Sequence, residues 1–487
     1  MATKLVKREN LPTKLWVDNE FKEGTGATVK LVNPKDASTI AEFKGASEAD
    51  VDNTVSISQK AFESGPWASL SGEEKGVILN KFAQLILDNA SEIAYFESVC
   101  SGRPLAQCNY EIPRVASVYR YYAGWADKIR GDSYPPEDGF YKIVRQEPLG
   151  VCAGITAWNG SLHFLAWKSA PALACGNTVI IKPSEKSPLG TLAVASLIKE
   201  AGFPPGVFQV LPGGGDVGAI LSSHMKIAKI SFTGSTFTGR KIQDAATKSN
   251  LKRVTLELGG KSPALVFDDA SLEKAVFWCT IGIATNAGQV CAATTRLFVQ
   301  EGIADKFLAA LKGSFEAITK TLGSDPQEMT TTYGPLVDKI QYDKVRGFIE
   351  EGKKSTEVII GGEEYTKGGY FIGPVIFKNP SEEAKIYREE IFGPVLCVRT
   401  FKTEEEAIQL ANDTDYGLAG AIYTQDVNRA LRVASKVRGG TIGINCTSVV
   451  GPQVPMGGFG SSGYGRELGE YAIRHYTETK AIWINMN

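Results

Sequence analysis

Histidine is nearly missing from this chain: three occur in 487 residues, His163, His224 and His475. A multi-histidine metal centre or a Cys-His protease therefore has little to draw on. Eight cysteines are present, at 100, 108, 152, 175, 279, 291, 397 and 446, but they form no CxxC pair and no short repeated spacing. This argues against a disulfide framework or a zinc site. An excess of one charge is also lacking, since 53 basic residues face 54 acidic ones and the net charge is -1. No electrostatic footprint for nucleic acid or an anionic membrane follows, and the expected partner is a small molecule. Apolar runs such as "FLAW" and "APALAC" are soon interrupted, far short of a membrane span. The opening "MATKLVKRENLPTKLW" has neither the apolar core of a signal peptide nor the arginine- and serine-rich character of a transit sequence. A cytoplasmic address is expected.

What is present is ordinary soluble material in quantity, with 43% hydrophobic and 22% charged residues. A chain of this length calls for two or three domains. From residue 150 onward, strand candidates such as "VCAGITAW", "NTVIIKP", "VFQVLP", "KISFTG", "RVTLELGG", "PALVFD", "RLFVQ", "PVLCVRTF", "AGAIYT" and "GTIGIN" alternate with helix candidates. The helical runs include "SPLGTLAVASLIKEAG", "GRKIQDAATKSN", "SLEKAVFWCTIGIATNAG", "IADKFLAALKGSFEAITKTL" and "TEEEAIQLAND". Such alternation predicts parallel sheets covered by helices on both faces. The strands are too many for one sheet, and the glycine-rich break in "RVTLELGGKSPALVFDDAS" predicts two doubly wound α/β domains meeting near residue 258. In the first 120 residues, "EADVDNTVSISQKAFES" and "SGEEKGVILNKFAQLILDNASEIAYFESVCSG" carry apolar residues at helical spacing and are expected beside the first sheet. The hairpin-like "GDSYPPEDGFYKIVRQEPLGV" and the terminal "HYTETKAIWINMN" read as strands without a sheet nearby, an arm that completes its hydrogen bonds on another subunit.

Among the glycine motifs, "LPGGGDVG" contains a formal GxGxxG in Gly213, Gly215 and Gly218. A dinucleotide fingerprint also wants an acidic residue at the end of the next strand, and "KISFTG" ends in a glycine turn instead. "GGKS" fails as a Walker A loop because Thr255 stands at the first glycine position. "FTGSTFTGRKI" is better placed, with a strand ending at Gly234 and a helix opening at about Ser235, where amides and the hydroxyls of Ser235 and Thr236 suit a pyrophosphate. "NTVIIKPSE" puts Lys182 and Glu185 just past another strand end, the crevice where ligands bind in open α/β sheets. Either loop alone could equally be solvated.

Cys291, in "NAGQVCAATTR", lies between a run that ends like a helix and one that begins like a strand. Taken by itself it is a nucleophile or a small buried hydrophobe. Taken with "AWNGS", "WKSAPALACGNTVIIKPSE", "SFTGST", "VTLELGGKSP", "EEIFGPVL" and "GFGSSGYGRELG", in order from about residue 20 to the carboxyl terminus, it resembles the aldehyde dehydrogenase superfamily. The pairing of "ELGGKSP" with "GQVC", 34 residues from Glu257 to Cys291, is the most specific part.

The resemblance implies a cofactor domain of residues 1–126 and 147–258, a catalytic domain of 259–458, and an oligomerisation arm of 127–146 and 475–487. It implies NAD-dependent oxidation of an aldehyde to the acid through a cysteine thiohemiacetal and thioester. In that reading Cys291 is the nucleophile, and Asn159 with the Cys291 backbone N–H stabilises the oxyanion. Glu257 is the general base for thioester hydrolysis, and Lys168 and Glu467 either connect it to bulk solvent or form a structural ion pair. The cofactor set is Trp158, Lys182, Ser184, Glu185, Gly214, Gly218, Phe232, Gly234, Ser235, Leu258, Glu390 and Phe392, with the GxGxxG a flanking loop at most. A carboxylate at Glu185 accepts hydrogen bonds from a free 2'-hydroxyl and repels a 2'-phosphate, which favours NAD over NADP. Gly160, His163, Trp167, Thr285, Val290, Ala292 and Met456 are implied to wall the substrate pocket. No metal is implied, and the expected assembly is a homodimer or homotetramer.

Several positions depart from the family pattern. Ala157 stands where proline commonly precedes "WN", Gly160 and Ser161 replace an aromatic-proline pair, and Gly460 takes a frequent lysine position. Gly160, Thr285 and Met456 replace common aromatic walls, so pocket shape rather than catalysis is affected. Two rival readings stay open: a catalytically silent relative that kept the fold as a structural or binding protein, and a thiol esterase.

Overall fold

The computed structural model describes residues 11–447 and 449–487. The first ten residues of the expected 1–126 segment, and with them most of the stretch behind the cytoplasmic expectation, lie outside the described residues, as does Ser448.

Two sheets dominate, and the chain passes from one to the other between Glu257 and Pro263. The first has eight strands, in the order Gly463–Tyr464, Arg253–Glu257, Lys229–Thr233, Val151–Ile155, Thr178–Lys182, Phe208–Val210, Leu15–Val17 and Glu20–Lys22. Its five middle strands are parallel, and the two flanking pairings, at Gly463–Tyr464 and Leu15–Val17, are antiparallel. Strands such as "VCAGI" and "TVIIK" are buried at every position, which explains their unbroken β-rich composition. The second sheet has seven strands, and only its edge strand Glu357–Ile360 runs antiparallel. Gly463–Tyr464 brings the chain back to the first sheet, from a segment that the expected boundaries assign to neither domain.

Helices from the amino-terminal region, including Gly72–Asp88, Ala90–Ser101 and Leu105–Ala123, share a core with Ser161–Ala174 beside the first sheet. The long run read as one helix is broken at Asn89, whose side chain turns back to the Leu85 carbonyl at 2.8 Å. Composition concealed the hairpin Thr28–Val32 with Thr39–Lys44, because its short strands lie among exposed polar residues.

The arm requires a correction. Thr477–Asn485 pairs along its whole length with Phe140–Pro148 of the same chain, and Asp132–Tyr134 forms the third strand. The two segments looked orphaned only because more than 300 residues of sequence separate them. Among the described residues the terminal strand has no neighbour at its other edge, and its Trp483 is 62% exposed. Such an edge favours pairing with a further chain. Removing residues 476–487 is therefore expected to shift the protein toward smaller assemblies in sedimentation velocity, and an unchanged sedimentation coefficient would remove that role. No helix among the described residues is long and apolar enough to cross a membrane.

Candidate active site

The register of the first sheet collects the predicted residues on one edge. Ile155 pairs with both Lys182 and Phe232, and Thr233 pairs with Glu257, so the carboxyl ends of four parallel strands lie side by side. The chain leaves these ends toward Asn159, Glu185 and Ser235, while Glu257 is itself the last residue of its strand. Cys291 approaches from the other unit, just before the strand Arg296–Gln300. The link between the sheets packs against it: a Cβ on Gly260 would collide with the Cys291 carbonyl, and one on Gly259 with the Glu390 carboxylate. At 260, where the obstacle is backbone, only glycine permits this close passage.

A strained turn presents the cysteine. After the helix Leu272–Ala284, Asn286, Ala287 and Gly288 take φ of 50°, 52° and 73° in succession. For Asn286 and Ala287 a left-handed backbone costs of the order of 1–2 kcal/mol each, so surrounding bonds must hold it. Gln289, fully buried, is the main tie. Its side chain donates to the Asn286 carbonyl at 2.9 Å and accepts from the Val337 N–H at 2.9 Å. Its own carbonyl accepts from Asn159 Nδ2 at 3.0 Å and from Asn286 Nδ2 at 3.2 Å. The Asn159 amide is thus fixed two residues from Cys291, with one of its two N–H groups still unspent. Asn286 and Gln289 stood inside a quoted motif, yet sequence reading gave them no role. A polar pair so close to a nucleophile was the available signal.

Electrostatics keep protons on the central groups. Burial, then the carboxylates of Glu390 and Glu257, push the Cys291 thiol up to about 12. Burial and the neighbouring Glu467 hold the Glu257 carboxyl well above the usual range, against the opposing pull of Lys168 and Arg466. Lys168 is buried and pairs with Glu467 Oε1, also donating to Thr233 Oγ1 at 2.7 Å. Ser231 Oγ lies 3.1 Å from Glu467 Oε1. Glu467 Oε2 is buried without a hydrogen-bond partner among the described residues, an acceptor left open beside Glu257.

At the predicted cofactor edge, Lys182 is buried, donates to the Pro183 carbonyl at 3.1 Å and lies 3.5 Å from the partly exposed Glu185 carboxylate. Ser184 Oγ accepts from the Lys186 N–H at 3.3 Å. Gly214 precedes the helix Gly215–Ser223, and Gly218 faces the Lys182 stem. The Ser235 hydroxyl caps the helix Thr236–Lys248 by accepting from the Thr238 N–H at 3.2 Å, and Thr236 donates to the Ser461 carbonyl at 3.1 Å. These hydroxyls therefore serve the chain itself. The Phe232 ring packs over Gly234, and Leu258 lies against Gly239. Glu390 accepts from the Gly260 N–H at 3.0 Å, and Phe392 meets Trp158 edge to face at 5.3 Å.

The predicted pocket residues divide. Trp167, Ala292 and Met456 are buried in the same core, with Val290 and Cys291 packed against it. Met456 and Glu467 exchange backbone hydrogen bonds of 2.8 Å. His163 lies 3.5 Å from Glu111, and Thr285 is exposed at its helix end. Phe164, absent from the sequence reading, fills the space beside Gly160: a Cβ there would lie 3.3 Å from its ring, which packs edge to face on Trp167 at 5.4 Å.

A model of the aldehyde dehydrogenase family matches residues 21–482. The chain belongs to the aldehyde dehydrogenase family. It is 45% identical over 478 residues to an aldehyde dehydrogenase of Davidiella tassiana, covering 98% of this chain and 96% of that one. It is 43% identical over 479 residues to human retinal dehydrogenase 2, covering 97% and 92%. The crystal structure of PnpE in complex with nicotinamide adenine dinucleotide superposes with a TM-score of 0.94 at 39% identity, over 98% of both chains. This places an oxidoreductase fold around the crevice described above.

Proposed function

We propose that this aldehyde dehydrogenase family member oxidises an aldehyde to its carboxylic acid, with Cys291 as the covalent nucleophile and NAD as the hydride acceptor. The observation that carries the reading is the Asn159 amide tethered to the Gln289 carbonyl, two residues before Cys291, with the Glu257 carboxyl near enough for its charge to act on the thiol. In this reading residues 1–126 with 147–258 hold the cofactor and 259–458 supplies the nucleophile.

The Cys291 sulfur adds to the aldehyde carbon, and its proton passes to a nearby base. Negative charge gathers on the former carbonyl oxygen, where the free N–H of Asn159 and the Cys291 backbone N–H can receive it. The nicotinamide, when bound, supplies the hydride acceptor and a positive charge that favours the thiolate. Glu257 then takes a proton from the water that cleaves the thioester. Glu467, whose second oxygen is open, and Lys168 carry that proton onward. Lys182 and Glu185 have the donor and acceptor that a ribose diol requires, and the complex of the similar PnpE with nicotinamide adenine dinucleotide supports a nicotinamide cofactor. Glu185 disfavours a 2'-phosphate by charge repulsion, so NAD is preferred to NADP. The glycines at 214 and 218, with Ser184, Phe232, Gly234, Ser235 and Leu258, would flank the adenosine and pyrophosphate, while Trp158, Glu390 and Phe392 would flank the nicotinamide half.

Incubation with NAD and a panel of aldehydes tests the reading. Absorbance of reduced cofactor is expected, and its absence with every aldehyde would favour a catalytically silent relative. Because burial raises the Cys291 thiol to about 12 and the Glu257 carboxyl above its usual range, and the reaction takes a proton from each, turnover should climb as pH is raised from 7 toward 10. A profile flat or falling over that range would contradict the assignment.

The substrate is proposed to be a bulky aldehyde, aromatic or medium-chain aliphatic. Phe164 and Trp167 meet edge to face and, with Val290 and Met456, offer apolar surface instead of the three-sided cage that holds quaternary ammonium groups. Each buried methylene contributes roughly 0.8 kcal/mol. Hexanal and benzaldehyde should therefore exceed acetaldehyde and betaine aldehyde in kcat/KM, and either of the latter ranking first would overturn this pocket.

A further inference from the structure

Glu97 belongs to the helix Ala90–Ser101 and is completely buried, in no contact with the groups assigned a chemical role. Its two carboxylate oxygens each lie 2.6 Å from the Ser161 hydroxyl. Arg103 Nη1 approaches Oε1 at 3.5 Å, and Arg103 is itself paired with Glu111. A Cβ on Gly190 would lie 2.7 Å from Oε2, so the carboxylate is wedged against the helix Leu189–Ala195. Burial pushes the carboxyl up to about 7, with Arg103 and then the Ser161 hydroxyl drawing it back down. A carboxylate held at such a cost asks for a reason beyond packing.

Ser161 opens the helix Ser161–Ala174, directly after the turn Trp158–Gly160 that carries Asn159. The helix has no side-chain cap, because its N-cap is Gly160. Its first amides therefore expose partial positive charge, which a buried carboxylate complements. The turn is fastened elsewhere by Ser187, which donates to the Trp158 carbonyl at 3.2 Å, by the Asn159 bond to the Gln289 carbonyl at 3.0 Å, and by Asn286 Nδ2, which donates to the Asn159 carbonyl at 3.4 Å. The Gly160-Ser161 pair supplies neither the bulk of a side chain nor the fixed φ of a proline at the helix start. None of these bonds reaches Ser161, so the helical side of the turn is held by the Glu97 carboxylate.

We propose that Glu97 is a positioning residue that acts through Ser161 to hold the Asn159 amide where the oxyanion forms. The proposal rests on the reading of Asn159 as an oxyanion donor. Acylation of Cys291 by 4-nitrophenyl acetate tests it without any cofactor, through the burst of nitrophenolate. Ser161→Ala, which keeps the Glu97 pairing with Arg103, and Glu97→Gln should each slow the burst roughly ten- to a hundredfold, as small misplacements of reacting groups do. The KM for NAD in aldehyde oxidation should stay unchanged. In an Asn159→Ala background, Ser161→Ala should cost nothing further, because the group it positions is gone. A wild-type burst in Ser161→Ala, or an equal loss with and without Asn159, would overturn the positioning role. Asn159→Ala acylated at the wild-type rate would instead remove the oxyanion reading, and the proposal with it. Should Glu97→Gln fail to fold, Ser161→Ala alone decides.

Discussion

Replacing Cys291 with alanine is expected to abolish aldehyde oxidation, by roughly a thousandfold or more, while NAD binding stays within a few-fold of wild type. The thiol makes the covalent bond, and the proposed cofactor contacts come from other residues. No other cysteine is placed to substitute. Cys100, Cys108, Cys152, Cys175, Cys279 and Cys397 are all buried, whereas Cys291 is partly exposed. Cys446 is partly exposed but lies beyond the strand Thr441–Ile444, so Cys446→Ala should retain activity and serves as the control. Losses of such size are normal when a covalent nucleophile is removed. Activity of Cys291→Ala within a few-fold of wild type would sink the nucleophile assignment.

Glu257→Gln separates the two halves of the reaction. The amide keeps the shape of the side chain but cannot accept a proton from water, so hydrolysis of the thioester should slow by about 10²–10⁴-fold, the usual worth of a general base. Formation of the thioester should persist, giving one equivalent of NADH per active site in the first turnover and little thereafter. Removing the carboxyl also relieves its unfavourable neighbourhood with Glu467, so the variant should fold. If the first turnover itself yields no NADH, Glu257 acts earlier, in drawing the proton from Cys291.

Much of this site could be read from the sequence because its parts stand at strand ends, where composition is most constrained. "NTVIIKPSE" and "KISFTG" were recognisable since parallel strands buried on both faces need unbroken apolar runs, and their register carries Lys182, Thr233 and Glu257 to one edge. The arm was misread for the opposite reason. Phe140–Pro148 and Thr477–Asn485 are half-exposed strands whose pairing is set by topology, and no local pattern reveals a partner so far along the chain. Gln289 and Glu97 were passed over because a lone buried polar residue looks in sequence like any solvated one. Their importance lies in what they hold, the left-handed turn at Asn286 and the helix start at Ser161, and that is visible only in three dimensions. Phe164, one helical turn beyond Gly160, was passed over for the same reason, since only the folded chain brings its ring beside that glycine.

The central claim is that an acyl group is carried on Cys291 between oxidation and hydrolysis. Mass measurement of Glu257→Gln, quenched in acid after one turnover with NAD and hexanal, tests it most directly. The account predicts protein heavier by one hexanoyl group, with the added mass on the peptide containing residues 286–296. Unmodified protein alongside a full equivalent of NADH, or an acyl group on any other residue, would contradict it.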